Sequence, residues 1–134
     1  MRGQAAFEYL ILFSIALLLL GILVWYSQQM TERNRDDMIV ANAIMAVNKI
    51  VDASNIVYTQ GKPSQITLSV YIPEKVSSVE FVGNTIVIKV MISSSISDII
   101  ATSKAPLQGD ISSDSGMKKI KVIAEENYVN ITKG

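Results

Sequence analysis

The chain of 134 residues has neither cysteine nor histidine. The first absence excludes disulfides, thiolate nucleophiles and thiolate metal sites. With histidine missing too, zinc centres, Ser-His triads and Cys-His dyads are unavailable. No catalytic residue set, metal site or cofactor pattern is expected, and an enzyme is not. Charge of one sign is lacking as well: 12 Lys and Arg balance 12 Asp and Glu. A nucleic-acid surface needs a basic face that displaces counterions, so that partner is set aside. Proline occurs three times, and neither proline nor glycine occurs between Gly21 and Gly61. Nothing in that stretch breaks a helix.

What is present is concentrated at the start. From residue 10 to 24 the only positions that are neither aliphatic nor alanine are Phe13, Ser14 and Gly21. About a dozen Leu, Ile, Val and Phe at roughly −0.3 to −0.6 kcal/mol each favour insertion by about 4 to 7 kcal/mol. The stretch from Tyr9 to Tyr26 reaches about 26 Å as a helix, close to the thickness of a hydrocarbon core. Tyr9 at one end and Trp25-Tyr26 at the other suit the two membrane interfaces. The segment has no polar face. It reads as a membrane-spanning helix rather than an amphipathic one.

Just before it stands Met1-Arg2-Gly3-Gln4-Ala5-Ala6-Phe7-Glu8-Tyr9. A secretory signal peptide places its cleavage site after the apolar run. Here the one junction suited to processing, Gly3-Gln4, precedes it, and one carboxylate, Glu8, lies just inside. This arrangement resembles the archaeal type IV pilin-like proteins with a class III signal peptide. Softer likenesses occur at Val82 to Ile88 and at Asn127 to Ile131. The family often has Ser two residues after the glutamine; here Ala6 keeps that position small.

The resemblance implies cleavage between Gly3 and Gln4 by a prepilin peptidase, which leaves the apolar helix on the mature chain. It implies a single-pass membrane precursor with its N-terminus in the cytoplasm, and a mature extracellular cell-surface filament. The partners it implies are the membrane, other pilin subunits, an assembly ATPase and a membrane platform. Basic residues alone do not set the orientation, since Arg2 lies on one side and Arg33 and Arg35 on the other. Pairing of Glu8 with the new amine of Gln4 would set subunit register. The alternative is a single-pass membrane-anchored surface protein, or a minor pilin, whose β head binds a partner or ligand.

Past a polar neck, residues 27–37, apolar residues return at helical spacing: Val40, Ile44, Val47 and Val51 on one line, Ile39, Ala43, Ile50 and Val57 beside it. Gly61 and Pro63 mark a helix stop. One helix over residues 5–59 is expected. The period then becomes two. Strands are expected at 66–72, 76–82, 85–92, 98–102, 118–124 and 128–132, with a tight Gly83-Asn84 turn and a long loop over 103–116. Pro73 ends the first strand or marks an edge. Val87 and Met91 suggest that the strand at 85–92 is covered on both faces. Lys118, Lys119 and Lys121 read as charges protecting a sheet edge.

The expected fold class is α+β, a long N-terminal helix with a small antiparallel β-sheet or sandwich packed on the helix's second half. The segments are a leader (1–3), a transmembrane or filament-core helix (4–26), its amphipathic continuation (27–60) and a β-rich head (61–134). Two further motifs remain. Asn130-Ile131-Thr132 is an N-glycosylation acceptor triplet, so Asn130 is a glycosylation candidate. Asp110 to Gly116 fails as a calcium loop, because its glycine is one place late and Lys121 stands where a bidentate Glu is needed.

Overall fold

The computed structural model describes residues 2–134. It is α+β. Helix α1 spans Arg2–Gln60, and seven strands follow: β1 Gln65–Ile72, β2 Val76–Val82, β3 Thr85–Ile92, β4 Ser95–Thr102, β5 Leu107–Gly109, β6 Gly116–Ala124 and β7 Val129–Lys133. The chain divides into two compact units, one up to Arg35 and the other Asp36–Gly134.

The helix stops where the sequence says it should. Gly61 has φ +78, and its N–H bonds to the Val57 carbonyl at 2.9 Å. A residue in the left-handed region satisfies an orphan carbonyl this way, and glycine does so without a Cβ clash. The helix begins at Arg2, earlier than the expected residue 5.

In the second unit the strands form two sheets, ordered β1-β6-β7-β5 and β2-β3-β4. Both share one core with the helix. Ile39, Ala43, Val47, Ile50 and Val57 of α1 join Val70, Ile72, Ile86, Ile88, Val90, Val122 and Ile131 in a single buried cluster. The two expected lines share the buried face: Ile39, Ala43, Ile50 and Val57 are buried, and so are Val47 and Val51 of the other line, whereas Ile44 is 43% exposed. Alanines 43, 46 and 53 also lie on the buried side of the helix. A head otherwise small enough to be marginal gains the apolar surface of α1.

Two polar clasps hold this packing in register. Asp36 accepts a hydrogen bond from Lys75 Nζ at 2.8 Å and one from Ser93 Oγ at 3.3 Å. Lys75 (φ 65) and Ser93 (φ 54) are the two non-glycine residues in the left-handed region among those described. That conformation costs about 1–2 kcal/mol per residue, and one carboxylate anchors both turns. At the other end Asn55 Oδ1 accepts from Ser103 Oγ and from the Lys104 N–H, both at 2.9 Å.

Several expectations need correction. Ser93-Ser94 is a tight turn between β3 and β4, so β4 starts at Ser95 rather than 98. The turn lacks Gly or Asn, and its left-handed Ser93 is held by a long-range bond to Asp36. The expected loop 103–116 contains β5, which pairs with β7 in parallel, so the first sheet is mixed. Three residues are too few for a periodic signal. Strand β3 is central but covered on one face only: Ile86, Ile88 and Val90 are buried, and Met91 opposite is exposed. The lysines of β6 guard no edge, because β6 lies between β1 and β7.

The outer faces of the two sheets differ. On β1-β6-β7 the outward rows are Gln65, Ile123 and Asn130; Thr67, Lys121 and Thr132; Ser69 and Lys119; Tyr71 and Met117. On β2-β3-β4 they are Val82, Thr85 and Thr102; Glu80, Val87 and Ile100; Ser78, Lys89 and Asp98; Met91 and Ile96.

Ile50→Ala is expected to destabilise the protein by about 2–5 kcal/mol, because it leaves a cavity in the shared core. Ile44→Ala should change stability by less than about 0.5 kcal/mol. Denaturant unfolding of the full chain in detergent, followed through the β signal, checks both. Gly109 (φ 146) lies against β7, and a Cβ there would overlap the Ile131 carbonyl oxygen. The same measurement should show Gly109→Ala to cost more than about 2 kcal/mol.

Candidate functional site

The apolar segment folds as helix because it is rich in Leu, Ile and Ala and contains no proline. Its Ser14 hydroxyl donates to the Leu10 carbonyl at 2.7 Å. That bond removes the one free side-chain hydroxyl in the segment, so a hydrocarbon surrounding leaves no polar group there unmet. None of the apolar span is buried in the folded chain. Between Phe7 and Tyr26 the large apolar side chains are 44% to 78% exposed. The helix is long and apolar enough to cross a membrane once. Nothing lies near Gly21, where a Cβ would meet open space; such a notch lets a second helix come close.

Of the expected site residues, Gly3, Gln4 and Glu8 all lie in α1 and are exposed. Met1, part of the expected leader, lies outside the described residues. The helix start at Arg2 matters for Glu8. The first turn carries no acid, so Glu8 sits a turn further in, where the macrodipole has fallen off. Gln4 and Glu8 are four residues apart, which makes them neighbours on one helix face. Side chains lean toward the helix N-terminus, so Glu8 leans toward Gln4.

Asn130 lies elsewhere, on the outer face of β7 together with Thr132. Its strand is paired on both sides, with β6 and with β5. The acceptor triplet is therefore held in an ordered strand rather than a loop.

The head offers little for small-molecule chemistry. A recess of about 110 Å³ is lined by Asp110, Ser112, Asp114, Lys118, Lys119 and Thr132. A groove of about 350 Å³ beside β1 is lined by Asn42, Asn48, Lys49 and Asp52 together with Met45, Ala46, Val70 and Tyr71. Among the described residues no three carboxylates gather as a metal set. The Glu80 carboxyl is clearly shifted. Hydrogen bonds from Lys89 and Ser78, and then the Lys89 charge, hold it below the ordinary glutamate value. A depressed carboxyl contributes stability above its unfolded pKa and loses it as pH falls through the folded value. Glu80 is fully exposed, so solvent screens that contribution.

Sequence reasoning passed over two features. The Asp36 clasp depends on contacts 39 and 57 residues away, for which sequence carries no local signal. The charge and apolar pattern of the two outer faces follows from strand register, which becomes readable only once β5 and β4 are placed. The chain matches no protein-family model, and comparison with curated proteins and with solved structures finds no match.

Trp25 is the one tryptophan of the chain. In lipid nanodiscs carrying quenchers at known depths, its fluorescence should be quenched most by labels near the headgroups. Quenching by deep labels alone would contradict a span ending at Trp25-Tyr26.

Proposed function

We infer that the protein is a structural subunit, a pilin of an archaeal type IV pilus-like cell-surface filament. The observation that carries this reading is the apolar span with no cover inside its own chain, next to a head that has a complete core without it. Such a segment needs an apolar surrounding. A bilayer supplies one for the precursor, and a bundle of identical helices supplies another for the filament.

A prepilin peptidase cuts between Gly3 and Gln4. The cut removes Arg2 and creates an α-amine one helical turn from Glu8. Lipid is as apolar as a helix bundle, so assembly gains no hydrophobic term. Close packing and polar pairing must therefore drive it, with an assembly ATPase and a membrane platform supplying work. An unpaired carboxylate inside the bundle costs several kcal/mol. Pairing with a Gln4 amine, of the same or a neighbouring subunit, offsets that cost and sets one register. Cyclisation of Gln4 would remove the amine's charge and with it the ion pair.

The mature N-terminus, read by mass spectrometry, is expected at Gln4. An intact Met1 would indicate a permanently anchored surface protein instead. Glu8→Ala should leave membrane insertion of the precursor unchanged and lower the yield of sheared filaments about tenfold or more. A yield equal to that of the unaltered chain would remove the register role.

A further inference from the structure

The two sheet faces that point away from the core are unlike each other. The outer face of β2-β3-β4 carries Val82, Met91, Ile96 and Ile100 in the open and a half-buried Val87, with Ile96 57% and Ile100 61% exposed. Its charges are two acids, Glu80 and Asp98, against one lysine, Lys89. Lys89 is engaged by Glu80 at 3.1 Å. Asp98 is in no ion pair among the described residues. Strand β4 is also an edge, and it contains neither lysine nor proline, the usual protections of an exposed edge.

The outer face of β1-β6-β7 has the opposite balance. Lys119 and Lys121 stand on it with no acid in any of its rows, and neither is ion-paired among the described residues. Tyr71 and Met117 at one end, and Ile123 at the other, provide apolar ground. One face thus offers unpaired cations, and the other an unpaired anion within an apolar field.

We propose that the outer face of β2-β3-β4 docks onto the outer face of β1-β6-β7 of a second copy of this chain. The occupant follows from charge. Packing β2-β3-β4 against itself sets Glu80 and Asp98 against their equals, and packing β1-β6-β7 against itself sets lysine against lysine. Like charges brought together oppose association. The mixed pairing puts Asp98 opposite Lys119 or Lys121 and covers Ile96 and Ile100. Its symmetry is informative too. A contact between two different faces leaves one of the two faces free on each copy, so the contact repeats and builds an open chain or a ring rather than a closed dimer. This inference rests on the filament reading and assigns its lateral contact.

The test uses filaments of the full chain. A carbodiimide, which couples a carboxylate to an ammonium in direct contact, should yield a ladder of subunit multiples. Mass spectrometry of the ladder should find Asp98 or Glu80 joined to Lys119 or Lys121. Asp98→Lys should lower filament yield about tenfold, as should Lys119→Glu with Lys121→Glu. Combining all three in one chain should restore the yield. The circular dichroism of each variant should stay unchanged, since all three residues point away from the core.

Four results overturn the proposal while leaving the filament reading intact. They are filaments whose cross-links avoid these residues, cross-links of Asp98 to a different polypeptide, reversal without rescue, and an N-linked glycan on Asn130 in assembled material, which would occupy the docking ground. A chain that forms no filaments at all removes the reading beneath it, and this contact too.

Discussion

The unmet apolar surface of the first part of α1 governs everything else in this protein. A helix satisfies its own backbone, so this segment makes no polar demand on its surroundings, and Ser14 turns its hydroxyl back to Leu10 to keep it so. Its side chains do make a demand. Every Å² of apolar surface left in water costs about 25 cal/mol, and none of the span is covered by the rest of the chain. The span is long and apolar enough to cross a membrane once, and a bilayer would provide that cover. Glu8 is the one charge just inside the apolar segment.

The second part of the same helix meets the opposite situation. From Ile39 to Val57 it buries one face, including Ala43, Ala46 and Ala53, in a core shared with both sheets. A seventy-residue β structure alone would be short of apolar area; here the helix supplies it. Asp36 and Asn55 secure the two ends of this packing with hydrogen bonds to turns and loops. One continuous helix thus serves two surroundings, and the mixed charges of residues 27–37 separate them.

The fold was largely legible in the sequence, and where it was not the reasons are local. Periodicity gave the helix, the Gly61 stop and the strands at 66–72, 76–82 and 85–92, because each runs long enough to show its period. It did not fix the limits of the buried helix face. Val47 and Val51 of the line containing Ile44 are buried with the line containing Ile50, whereas Ile44 itself is exposed; that limit depends on where the sheets have room. Ser93-Ser94 carries no turn signature, since its left-handed residue is held from a distance by Asp36. Strand β5 is three residues long and pairs in parallel, so nothing within it announces a partner. Of the candidate site, Glu8 and Gln4 were readable as residues and spacing.

By itself the sequence determined that this chain has a membrane-length apolar helix, no histidine or cysteine chemistry, balanced charge and a β-rich head. These follow from composition and from periods of 3.6 and 2, which are properties of neighbours along the chain. The tertiary structure alone decided where the buried helix face ends, which strand edges and faces remain open, and which acids and lysines share a surface. Those outcomes depend on strand order and register, and register brings together residues with no local relation in sequence.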